Sequence, residues 1–235
     1  GLKVEPLEDA VDGYKVSGRG ELHLSILLEN MRREGYEVSV SRPEVILKKI
    51  DGVTMEPIER VFINVPEIYS GSVISKLNVR KGVMSSMTPD GNYVKIEYMV
   101  PTRGLLGYRT ELINDTRGEG TMVRSFDHYE KYKGDIPQRI NGVLISNDEG
   151  EAIAYSLNNL ESRGTLFINP GEKVYEGMII GMCARGEDIT VNPCKAKKQS
   201  NTRSSAADEA IKLTPPRIMT LESALEFIND DELVE

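Results

Sequence analysis

At 235 residues, with 39% hydrophobic and 28% charged side chains and a formal net charge of -8, the chain is long enough for more than one domain and too apolar for a disordered one. No stretch approaches the roughly 18 apolar residues of a membrane span, and the N-terminus lacks the basic and apolar regions of a signal peptide. A cytoplasmic protein with no membrane partner is expected.

The two cysteines, Cys183 and Cys194, lack a CxxC spacing and read as reduced thiols. His23 and His128 lie far apart in sequence with no second imidazole or cysteine at ligand spacing, so no metal site is predicted. Gly1 in place of an initiator Met, and Glu232 to Glu235 reading as a strand just begun, predict a piece of a longer chain.

Tyr14 to Val16 reads as a strand, and Ser17 to Gly20 as a turn into a helix whose Leu24, Leu27, Leu28 and Met31 share one face. Arg32 and Arg33 suit its last turn and Gly35 its left-handed stop. Tyr36 to Val40 alternates as a strand. Residues 1–47 thus form part of an α/β sandwich.

A second unit, 48–130, reads as complete. Arg60 to Val65 is a strand, Tyr69 to Arg80 a helix stopped by Gly82, and Val83 to Met87 and Tyr93 to Val100 flank the turn Thr88 Pro89 Asp90 Gly91 Asn92. Leu105 to Asn114 is a helix and Thr121 to Phe126 a strand. The order strand, helix, strand, strand, helix, strand is the ferredoxin-like split βαβ, with one sheet face covered by both helices and one free.

Residues 131–235 read as a mainly β domain. Strands are predicted at Val143 to Ser146, Ile153 to Tyr155, Thr165 to Ile168, Met178 to Ala184, Ile189 to Val191 and Ala210 to Leu213. Short helices are predicted at Leu157 to Ser162 and, after Thr220, at Leu221 to Ile228. The fold class is α+β: a partial and a complete ferredoxin-like sandwich, then a mainly β domain with two short helices and a long basic loop.

That loop is the functional candidate. From Ile189 to Ala207 the chain has no acidic residue, and Lys195, Lys197, Lys198 and Arg203 lie among small polar side chains. In an acidic chain such a run serves a polyanion through counterion release, or is a solvated surface loop. Gln199, Ser200, Asn201 and Thr202 add hydrogen-bonding groups, and the run has no aromatic residue to stack on bases.

Catalytic constellations are missing. Gly18 to Gly20 and Arg103 to Gly107 match neither GxxxxGK[ST] nor GxGxxG and read as turns at helix starts. No GxSxG elbow occurs, and Asp230 and Asp231 are adjacent, so they point apart. No catalytic residue is assigned.

Ser17 Gly18 Arg19 Gly20 Glu21 Leu22 His23 Leu24, with the following helix and Ser41 Arg42 Pro43 Glu44 Val45, resembles the end of domain III of elongation factor G-like translational GTPases. Pro101 to Thr110, Thr116 Arg117 Gly118 and Phe126 Asp127 His128 Tyr129 resemble domain V of that class. Asn141 to Ile145, Ser162 to Phe167, Val174 to Met178 and Ala224 to Ile228 resemble the C-terminal domain of the BipA/TypA family.

The resemblance covers essentially the whole chain. It implies a cytoplasmic, monomeric ribosome-associated factor, acting in translation under stress and in large-subunit assembly. GTP and magnesium would belong to a domain preceding Gly1, leaving this piece without cofactor or GTPase activity.

It further implies that Lys195, Lys197, Lys198, Gln199, Ser200, Asn201, Thr202 and Arg203 meet large-subunit rRNA and the acceptor arm of A-site tRNA, with no DNA partner. Arg103, Arg109 and Arg117 are candidates for a second ribosome contact, with surface solubility as the alternative reading. A different class, a small-molecule-responsive module, rests on the ferredoxin-like fold alone.

Overall fold

The structure is a computed structural model that describes residues 1–197 and 211–235. It contains two compact units, residues 1–138 with 221–235, and residues 139–220. Among the described residues no helix is long and apolar enough to cross a membrane.

The first unit opens with an antiparallel pair, β1 (Lys3–Pro6) and β2 (Tyr14–Ser17), followed by α1 (Glu21–Arg33) and β3 (Val40–Ser41). Gly35, at φ 89°, ends α1, and the Tyr36 amide closes back on the Met31 carbonyl at 3.1 Å. The predicted stripe Leu24, Leu27, Leu28 and Met31 is half-buried, while Leu22 and Ile26 lie exposed. The expected strand Tyr36 to Val40 contracts to Val40–Ser41, because only there does a ladder partner exist.

β4 (Lys48–Ile50) turns through Asp51 and Gly52 into β5 (Val53–Pro66). Then come α2 (Ser70–Val79), β6 (Val83–Asp90), β7 (Tyr93–Pro101), α3 (Tyr108–Asp115) and β8 (Thr121–Lys131). In the sheet β6 pairs β7, β7 pairs β5 and β5 pairs β8, all antiparallel, which is the split βαβ order. Val61, Ile63, Val65, Val94, Ile96, Tyr98 and Val100 point to one face and bury against Val73 and Leu77 of α2 and Tyr108 and Leu112 of α3. Alternation sends Phe62 and its register partner Val123 to the other face, where both are exposed.

Two local expectations shift. α2 is stopped by Lys81, at φ 65°, rather than by Gly82. Gly82 is needed for space: its amide bonds the Leu77 carbonyl at 2.8 Å, and a Cβ would come within 2.8 Å of that oxygen. The second helix starts at Tyr108, because Thr102–Leu105 forms a separate 3-10 turn and Gly107, at φ 76°, caps α3.

The second unit holds β9 (Val143–Ser146), β10 (Gly150–Glu151), α4 (Ala154–Leu160), β11 (Gly164–Leu166), β12 (Lys173–Val174), β13 (Ile179–Cys183) and β14 (Ile189–Val191). Its four-stranded sheet runs β11, β13, β9, β14, with β14 parallel to β9. Leu144, Leu157, Leu166, Ile168, Ile180 and Val191 join in one core. The strand expected at Ile153 to Tyr155 is instead the start of α4: so short an apolar run suits either element, and here it docks Leu157 and Leu160 inward. Of the strand expected at Ala210 to Leu213, Ala210 lies outside the described residues and 211–213 carry no regular structure.

α5 (Leu221–Phe227) and β15 (Leu233–Val234), expected with residues 131–235, pack on the first unit. β15 pairs β3.

Glu21, in the first turn of α1, has its pKa raised above the ordinary carboxylate value, first by burial and then by Glu226, with Glu222 and Glu59 adding and Arg124 opposing. A carboxyl whose folded pKa exceeds its unfolded one stabilises the fold while protonated, and that stability is lost as pH rises through the folded pKa. Glu21→Gln is therefore expected to melt higher than the parent at pH 7, by roughly 2 °C. The gap should close as pH falls below about 4.3 in melts followed by circular dichroism.

Candidate RNA interface

The basic run begins where β14 ends, and its root is built from polar contacts within the second unit. The Asn147 amide bonds the Val191 carbonyl at 2.9 Å, and the Ile153 amide bonds the Pro193 carbonyl at 3.0 Å. Asn192 donates from Nδ2 to Asp148 at 3.0 Å and accepts the Cys194 amide on Oδ1 at 2.8 Å, forming a local side-chain turn. Burial, and then Asp148, raise the Cys194 thiol pKa, which keeps that residue a packing group.

At Lys195 the chain is tied once more. The hydroxyl of Ser156, on the buried face of α4, donates to the Lys195 carbonyl at 2.6 Å, while Lys195 and Lys197 are exposed. On the far side of the run, the Thr214 amide donates to Glu161 at 2.6 Å and the Arg217 amide to the Leu166 carbonyl at 2.8 Å. Ser156 and Glu161 lie at the two ends of one short helical segment. The segment therefore holds both roots of the excursion. Lys198, Gln199, Ser200, Asn201, Thr202 and Arg203 lie outside the described residues.

The three arginines of the first unit have different surroundings. Arg103, read as a ribosome contact, is held inside: its guanidinium donates to both oxygens of Glu56, at 3.0 to 3.3 Å, and to the Gly134 carbonyl, and stacks on Tyr132 at 4.1 Å. Glu56 is wholly buried and also accepts the Lys133 amide at 2.9 Å. A carboxylate so placed requires its cation, so the Nε and Nη2 groups of Arg103 are committed to the fold. Arg109, on α3, and Arg117, at φ 52° just after it, carry exposed side chains.

Neither glycine-bearing turn forms a phosphate cradle. A Cβ on Gly104 would lie 2.5 Å from the Arg80 carbonyl oxygen, and Gly18 packs against Leu24 and His23, so these glycines give close packing. Among the described residues no group of three or more His, Cys, Asp and Glu side chains is disposed to hold a metal ion.

Residues 141–235 match the family model of the TypA/BipA C-terminal domain, and residues 53–140 that of the elongation factor G C-terminus. The large ribosomal subunit assembly factor BipA of Escherichia coli strain K12 is 53% identical across 100% of this chain and 39% of its own length. The chain belongs to the TypA/BipA family.

The same-named proteins of Haemophilus influenzae and Bacillus subtilis are 53% and 50% identical, again across 100% of this chain and 38% of theirs. The chain spans about two fifths of the length of these curated relatives. A solved chain from Thermus thermophilus aligns over 34% of this chain and 12% of its own at 31% identity, with a TM-score of 0.33, too low to bear on the fold.

Sequence reading of this family member finds the cations of the run and misses what positions them. Ser156, Glu161 and Asn192 are ordinary polar residues in sequence, and only the docking of α4 gives them their tasks. The one local signal is Asn192 followed by Pro193, a turn-forming pair after a strand.

Arg103→Ala is expected to lower stability by about 3–5 kcal/mol in urea unfolding, since it strands the Glu56 carboxylate. Arg109→Ala and Arg117→Ala should each stay within about 0.5 kcal/mol. Equal effects at all three would contradict the placement of Arg103.

Proposed function

We propose that this chain docks a BipA-type translational GTPase on the large ribosomal subunit, and that the run Lys195 to Arg203 is the element that meets RNA there. The observation that carries the reading is an acid-free basic run, in a chain of net charge -8, whose two roots are tied to one short helical segment. The name of the relatives, large ribosomal subunit assembly factor, supports the same partner.

Lys195, Lys197 and Lys198 neutralise phosphates as point charges, and Arg203 has the planar fork for a two-pronged grip. Gln199, Ser200, Asn201 and Thr202 hydrogen-bond sugar hydroxyls and phosphate oxygens. With no aromatic in the run, the target is recognised by shape and charge: large-subunit rRNA and the acceptor arm of A-site tRNA. Arg109 and Arg117 supply a second, weaker contact from the ferredoxin-like sandwich.

The chain works as a cytoplasmic, monomeric positioning element. GTP and magnesium act outside it. The whole factor serves translation under stress and assembly of the large subunit.

In a pelleting assay, Lys197→Ala, Lys198→Ala and Arg203→Ala combined should reduce ribosome occupancy. A salt series should lose about 0.7–0.9 from its log-log slope for each phosphate contact removed. Unchanged occupancy and slope would reject the run as the contact. A saturable thermal shift with a nucleotide or amino acid, with binding to ribosomes absent, would favour the small-molecule module instead.

A further inference from the structure

Residues 221–235 follow the second unit in sequence, yet they pack with the first. β15 lies antiparallel to β3, with Leu233 opposite Ser41 and Val234 opposite Val40. Glu226 of α5 accepts a hydrogen bond from Thr110 Oγ1 at 2.7 Å and lies over Gly107, where a Cβ would come within 3.5 Å of it. Asp230 accepts from Gln138 Nε2 at 2.6 Å and pairs with Arg42 at 3.7 Å. Leu225 and Ile228 are buried. The segment thus grips the N-terminal piece through β3 and Arg42, and the split βαβ sandwich through α3 and Gln138.

We propose that residues 221–235 are a releasable strap that ties the N-terminal strand and helix piece to the split βαβ sandwich. The contacts have the character of a latch. β15 and β3 each have two residues, and α5 has seven, too few to be helical alone. The Asp230 side chain is 68% exposed, so its ion pair with Arg42 adds little. Such elements open locally at lower free energy than a sheet buried on one face, as β5 and β7 are.

Release has a defined consequence: it frees the N-terminal strand and helix piece from the split βαβ sandwich, since β3 and Arg42 lose their partners in the segment. The inference stands whether or not the run binds RNA.

Hydrogen exchange on the full chain tests it. In a Thr110→Val, Asp230→Ala variant, amides of α5, β15 and β3 should exchange about tenfold faster, the effect of weakened hydrogen bonds. Those of β5 and β7 should keep the parental rate. A Ser41→Cys, Leu233→Cys pair, oxidised in the same background, should restore slow exchange in β3 and β15. Unchanged exchange throughout, or acceleration equal in β5 and β7, would overturn the proposal.

Discussion

The burial of α4 is the constraint on which the arrangement around the basic run depends. Leu157 is wholly buried and Leu160 nearly so, and each such leucine contributes about 1.5–3 kcal/mol relative to exposure. That burial fixes the Ser156 hydroxyl and the turn bearing Glu161, which hold the Lys195 carbonyl and the Thr214 amide. The connection between them starts and ends at set points.

Charge acts at two ranges. The net charge of -8 repels a polyanion from the chain as a whole, but at physiological salt that field decays over about 8 Å. Within this range only local cations count, and the run is locally basic because no Asp or Glu occurs between Asp188 and Asp208. Under the proposed function, an acidic chain with one basic run disfavours nonspecific RNA binding while leaving one contact attractive. The half-buried Arg103 serves the fold: its guanidinium is held by Glu56 and Gly134 and stacks on Tyr132.

The split βαβ sandwich was legible in the sequence because its signals are local. Gly91 and Asn92 make the hairpin turn, Val73 and Leu77 set the buried face of α2, and β5 and β7 alternate. Non-local features were not legible. Glu56 looks like any strand carboxylate until Lys133 and Gly134 return over it with Arg103. The return of α5 and β15 to the first unit depends on partners as distant as Val40 and Thr110. At Lys81 and Gly82 the composition pointed one residue too far, because a glycine required for close packing stood beside a lysine that takes the left-handed conformation.

The described fold ties both ends of a cationic run to one short helical segment. Under the proposed function that run touches folded RNA of the large subunit. Chemical footprinting of large-subunit rRNA with this chain bound should show a compact protected patch that disappears when Lys197, Lys198 and Arg203 are replaced by alanine. A patch that persists unchanged in that variant, or no patch at all under saturating conditions, would contradict it.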